Sequence, residues 1–273
     1  MHQLDTTIPL VKKAFNRNKR AYLIPLVGFL LLLFYLNKGT NLISIVYDNS
    51  GSMSHTNAIE ALSETFDKLE DNNEIILTTL NGPQYQPKVN AKTSISELMG
   101  VKNSSALFAG NISSFQNPAE ATNAVNQITG FECCSPIGES IWKTFLYIKE
   151  TKNNEDYKHK LLIVITDGYD NYLDESLSTN KFFFDDAEFS EYFPSENVFI
   201  IDFSESSANA FIQKCTNAGC DIYPAENNKQ DYLDGLDNAL LSFKNNWYLI
   251  YWTLLIFSVL AIIGLLIPSK KII

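Results

Sequence analysis

Asn41-Leu-Ile-Ser-Ile-Val-Tyr-Asp-Asn-Ser-Gly-Ser-Met53 decides the fold. Ile43, Ile45, Val46 and Tyr47 form a short apolar run, rich in β-branched residues, of the kind that makes a strand covered on both faces. Asp48, Ser50 and Ser52 follow at alternate positions, and Gly51 lets the turn close tightly. A carboxylate and two hydroxyls at the C-terminal end of a buried strand are hard oxygen ligands, which suit Mg²⁺, Mn²⁺ or Ca²⁺.

Downstream, strand and helix patterns alternate. Ile59, Leu62, Phe66 and Leu69 recur at helical spacing within 56–70, and Glu74 to Leu80 reads as a second strand. Residues 84–130 are rich in Asn, Ser and Gly and show only two short helical stretches, 94–99 and 119–128. The loop Gly130-Phe-Glu-Cys-Cys-Ser-Pro-Ile-Gly-Glu-Ser140 enters a helix carrying Ile141, Phe145 and Ile148 on one face. Lys160 to Thr166 is a central strand ended by Asp167-Gly168, and Asn197 to Phe203 is another. A helix over 207–217, a short strand over 221–223 and a helix over 230–243 complete the series. The alternation predicts an α/β fold with a doubly wound, mostly parallel sheet. In such sheets ligands bind at the carboxyl ends of the strands, where Asp48 and Asp167 stand.

Two uncharged apolar blocks bracket this region, at 21–36 and 247–268. The second, as a helix, covers roughly the 30 Å of a bilayer core. The first follows Lys12, Lys13, Arg17, Lys19 and Arg20, so a cleaved signal peptide is the alternative to an anchor. Asn37-Lys-Gly-Thr-Asn41 offers no small-residue cleavage site before the strand begins, which favours an uncleaved span. Basic residues lie outside both blocks, with Lys270 and Lys271 after the second. The expectation is a two-pass membrane protein: cytoplasmic tails at 1–20 and 269–273, and a periplasmic or extracellular domain at 37–246. The net charge of −10 argues against nucleic acid and anionic lipid as partners.

Asp48-x-Ser50-x-Ser52, Ser135-Pro-Ile-Gly before a helix, and Ile165-Thr-Asp-Gly168 together resemble a von Willebrand factor A (vWA) domain over about residues 41–244. The order of the three segments, each beside a strand end or a helix start, carries the resemblance. It implies a metal-ion-dependent adhesion site in which Ser50 and Ser52 bind a Mg²⁺-like ion directly. Asp48 and Asp167 would act directly or through water. Ser135 would stand where the family usually has threonine, keeping the hydroxyl and losing a methyl. The resemblance further implies a partner protein whose Asp or Glu side chain fills the open metal position. The arrangement is similar to bacterial membrane-anchored vWA proteins of the aerotolerance type, which commonly carry an additional N-terminal span. Both ends of such a domain leave the sheet on the side opposite the metal, so Asp48 would face away from the membrane.

In the topology so implied, Cys215 ends a helix and Cys220 opens the next strand, remote from Cys133 and Cys134 beside Ser135. A Cys215–Cys220 disulfide is therefore expected, with Cys133 and Cys134 bridged to each other or free. Zinc is disfavoured, since no Cys-x₂-Cys spacing and no nearby His accompany them.

Phe183, Phe184, Phe189 and Tyr192 follow helical spacing in an acidic stretch. They read either as a helix packing on its sheet or as an exposed partner-binding surface. Burial of the rings decides between the two.

The function expected is metal-dependent protein binding, as a scaffold in a membrane-embedded envelope complex. The alternative is a structural subunit whose metal only holds its loops. Enzyme activity is not expected. Aspartyl phosphatase chemistry at Asp48 needs a second acid two residues on, where Ser50 stands, and His2, His55 and His159 form no credible triad.

Overall fold

A computed structural model describes residues 40–55, 57–69, 73–80, 95–107, 110–129, 135–152, 157–168, 182–203, 210–225 and 229–240, with Trp252, Leu255 and Ile256. The chain divides into two units, Gly39–Phe243 and a second made of Met1–Lys38 with Lys244–Ile273. The segment 21–36 lies outside the described residues, as does all of 247–268 except Trp252, Leu255 and Ile256. Trp252 and Ile256 are exposed. Among the described residues no helix is long and apolar enough to cross a membrane.

The first unit is built on β1 (Thr40–Tyr47), α1 (Ala58–Asp67), β2 (Asn73–Thr79), α2 (Ile95–Gly100), β3 (Asn111–Phe115), α3 (Pro118–Val125), α4 (Ile137–Thr151) and β4 (Tyr157–Thr166). It continues through α5 (Ala187–Tyr192), β5 (Val198–Asp202), α6 (Ala210–Ala218) and β6 (Asp221–Pro224) to a last helix, α7, at 229–240. The six strands run in the order β3-β2-β1-β4-β5-β6. All neighbours are parallel except β2 and β3. This is an α/β fold with a mostly parallel, doubly wound sheet.

Alternate side chains of each strand feed two cores, as the two-residue strand period requires. Leu42 and Val46 face Trp142, Phe145 and the aromatic rings around α5. Ile43, Ile45 and Tyr47 face Leu62, Phe66, Ala121 and Tyr232. That double burial is why β1, β4 and β5 read as unbroken apolar runs.

Chain order then fixes the site. β1 lies between β2 and β4, and the helices that lead away from β1 and into β4 pack on opposite faces. The crevice between the carboxyl ends of β1 and β4 is thus the switch point at which open α/β sheets bind ligands. β3 has no counterpart in the sequence reading. It is a five-residue antiparallel edge strand, Asn-Ile-Ser-Ser-Phe, whose polar residues sit half in solvent and give no strand-like pattern.

Candidate metal site

Tyr47 ends β1 in register with Ile165 of β4, and the Asp48 N–H continues the ladder by donating to the Ile165 carbonyl at 2.9 Å. Asp48 is therefore level with Thr166, and Asp167 follows one residue further, just past the end of the neighbouring strand. Asp48 is fully buried and Asp167 half-buried. The Asp48 turn folds back on itself, with the Ser50 N–H donating to Asp48 Oδ1 at 2.9 Å. This aspartate-to-amide turn is the reason an Asp at this position shapes the loop as well as charging it.

Ser50 Oγ and Ser52 Oγ lie 3.0 Å apart; Ser50 is buried and Ser52 exposed. Ser135, just before α4, turns its hydroxyl toward Asp48 Oδ1 at 3.4 Å. Thr166 Oγ1 donates to Asp48 Oδ2 at 2.9 Å. Asn49 Nδ2 donates to the Thr129 carbonyl at 3.1 Å, tying the turn to the segment that precedes the Ser135 loop. The structure thus brings together Asp48, Ser50, Ser52 and Ser135, with the Asp167 carboxylate close enough to act on the ionisation of Asp48.

The electrostatics follow from burial. Loss of solvent pushes the Asp48 carboxyl up to about 6, with Ser50 holding it down, Asp167 adding to the rise and Thr166 opposing it. Both carboxylate oxygens accept from protein donors, and among the described residues no lysine or arginine ion-pairs with Asp48. A buried anion held as an acceptor without a cationic neighbour is a setting that a bound cation relieves. The donors available are all oxygens, three hydroxyls and two carboxylates, so the residues fit a hard divalent ion. Among the described residues no group of three His, Cys, Asp or Glu side chains is placed to hold a metal, so nothing there resembles a nitrogen- or sulfur-rich site.

A pH dependence arises here. The folded-state carboxyl of Asp48 titrates at about 6, above its ordinary 3.8, so the folded protein holds the proton more tightly than the unfolded chain. This contribution is fully present below pH 4 and is lost as pH rises through 6. In EDTA, the Asp48 contribution to stability is expected to fall by about 3 kcal/mol in all, of which about 2 kcal/mol is lost between pH 4 and pH 6. Urea unfolding of wild type and Asp48→Asn at pH 4, 5, 6 and 7 checks it, since the difference between the two isolates this group.

Two expectations are corrected. Cys215 and Cys220 are free, buried thiols and form no bridge. Gly219 takes a left-handed conformation at φ +90°, and the Cys220 N–H donates to the Cys215 carbonyl at 3.0 Å, so the two residues flank one turn. Burial pushes the Cys215 thiol well up, with the neighbouring Cys220 adding to the rise. Both residues instead fill the core as small apolar groups. Cys133 and Cys134 lie outside the described residues.

The aromatic surface is also overturned. Phe183, Phe189 and Tyr192 are buried, and Phe184 is half-buried against the same core. Trp142 of α4 lies 6.0 Å from Phe183 and 6.1 Å from Phe189, and Phe145 lies 5.2 Å from Phe189, measured between ring centroids. The stripe packs α5 inward because α4 presents two large rings to it.

No family model and no curated protein sequence matches the chain. Among solved structures it is similar to the vWA domain of SpRpn10, at 11% sequence identity and a TM-score of 0.44, over 73% of this chain and 95% of that one. The fold class rests on the strand order and pairing described above.

Proposed function

We propose that this chain is a membrane-anchored vWA domain that binds partner proteins through a divalent metal, Mg²⁺ or in its place Mn²⁺ or Ca²⁺. The observation that carries the reading is the buried Asp48 carboxylate, which ion-pairs with no lysine or arginine among the described residues and is held by donors from three separate segments next to the exposed Ser52 and half-buried Asp167. Ser50, Ser52 and Ser135 would supply hydroxyl oxygens, and Asp48 and Asp167 the negative charge. The bound ion would offer residual positive charge and an open position to an Asp or Glu side chain of the partner. The spans at 21–36 and 247–268 would hold the domain outside the cytoplasm, as a scaffold in an envelope complex, with both tails inside. The length and apolar, uncharged composition of 247–268 support the second span.

One observation favours a second reading, in which an ion serves only to hold the loops. Both oxygens of Asp48 already have protein donors, so the turn is satisfied on its own. Cross-linking and pull-down from membranes separates the readings. Wild type is expected to capture an acidic partner in Mg²⁺ and to lose it in EDTA or on Asp48→Ala. Capture that is indifferent to both treatments sinks the adhesion reading and leaves the structural one.

A further inference from the structure

We infer that Thr166 is the positioning residue of this site: one buried hydroxyl aims the Asp48 carboxylate and fixes the Asp167–Gly168 turn together. The inference deepens the cation reading of Asp48 and rests on it. Thr166 is the last residue of β4 and is fully buried. The Gly168 N–H lies 2.9 Å from Thr166 Oγ1, and an N–H can only donate, so the hydroxyl oxygen accepts there. Its single proton is then left for Asp48 Oδ2, also at 2.9 Å. With Asp48 ionised at pH 7, its carboxylate can only accept, so the Thr166 hydroxyl donates to it.

Asp48 Oδ1 is served by Ser50 and Ser135. Among the described residues Thr166 is the donor recorded on Oδ2, so the rotation of the carboxylate depends on it. The Thr166 backbone cannot drift, since it pairs with Asp202 of β5 and its carbonyl accepts from the Phe203 N–H at 2.9 Å. A threonine that only closed a local turn would bond its own residue-plus-two amide and nothing else. Here the same hydroxyl bridges two loops separated by 118 positions. Asp48 leaves β1 and Asp167 leaves β4, so this bridge sets how far apart the two carboxylates stand across the switch point.

The test uses the full chain in detergent micelles, with Mn²⁺ as the probe and free Mn²⁺ read by electron paramagnetic resonance at pH 7. Thr166→Val keeps the shape and removes the hydroxyl, whereas Thr166→Ser keeps the hydroxyl. The valine variant is expected to bind Mn²⁺ about tenfold more weakly or worse, and the serine variant within about threefold of wild type, because a hydrogen bond to a charged group is worth a factor of that size. Melting followed by circular dichroism in EDTA checks that each variant folds. If valine binds as tightly as wild type, the inference is overturned while the cation reading stands. If wild type itself binds no Mn²⁺, the cation reading falls first and takes the inference with it. Should valine fail to fold, Thr166→Ala replaces it under the same criterion. Failure of both to fold beside a normal serine variant would overturn the inference, since the hydroxyl would then be needed by the fold and not by the ion.

Discussion

Asp48→Asn is expected to make the metal-free protein more stable at pH 7 and to abolish its response to Mg²⁺. Burial raises this carboxyl from 3.8 to about 6, which places about 3 kcal/mol against the ionised folded form at neutral pH. Asparagine removes the charge and keeps an acceptor for the Ser50 N–H and the Ser135 hydroxyl. Its new N–H₂ meets Thr166 Oγ1, which still accepts from Gly168 and whose own proton loses its acceptor. The expected net gain is therefore smaller, about 1–2 kcal/mol in EDTA. In saturating Mg²⁺ the order reverses, because an ion that binds only the folded wild type adds about 2.7 kcal/mol at a hundred times its dissociation constant. Urea unfolding of both proteins, with EDTA and with Mg²⁺, reads all four values. An asparagine variant less stable than wild type in EDTA would mean that the charged carboxylate helps hold the fold by itself.

Trp142→Ala is expected to cause the largest loss of stability of any single change in the helical layer that covers this face. Trp142 is fully buried, and its Nε1 donates to the Val101 carbonyl at 3.0 Å, joining α4 to the chain that follows α2. Its ring lies 5.1 Å from Phe145 and is near-parallel to Phe183 and Phe189. Alanine leaves a cavity among stiff rings that cannot close over it and removes the donor to the partly buried Val101 carbonyl. The expected loss is about 3–5 kcal/mol, a large part of the total for a domain of this size. A loss of unfolding free energy in urea that is less than a third of that expectation would show that the aromatic cluster repacks freely. Trp142→Phe, which keeps most of the volume but drops the hydrogen bond, separates the two contributions.

Legibility in the sequence followed burial. β1, β4 and β5 are covered on both faces, so their apolar runs name them without any neighbour. β4 begins at Tyr157, earlier than the apolar run, because Tyr-Lys-His-Lys sits half-buried at the end of the sheet and carries no alternation. β3 escaped for a related reason: an edge strand paired on one side tolerates the polar Asn111, Ser113 and Ser114.

The aromatic stripe 183–193 shows the limit of spacing. The same periodicity describes a helix facing partners and a helix facing its own core, and the presence of Trp142 and Phe145 opposite it decides.

Asp48, Ser50 and Ser52 stood out as candidate oxygen ligands by their alternate spacing after a strand, and Asp167 by ending another, whereas Ser135 entered only through the resemblance to vWA domains. Thr166 did not stand out, since a threonine closing Leu-Leu-Ile-Val-Ile reads as one more β-branched strand residue. Its polarity at a fully buried strand end was the signal available. The cysteine pair shows a similar limit: two cysteines flanking one turn read equally as a bridge or as small core residues, and here both are free and buried in the core.

On the proposed reading, the switch point between β1 and β4 holds one divalent ion. Equilibrium Mn²⁺ binding to the full chain in micelles at pH 7, with Asp48→Asn in parallel, tests it most directly. One saturable ion per wild-type chain is expected, displaced by Mg²⁺ and absent from the folded asparagine variant. Equal binding by the two proteins, or no saturable binding by a folded wild type, would contradict it.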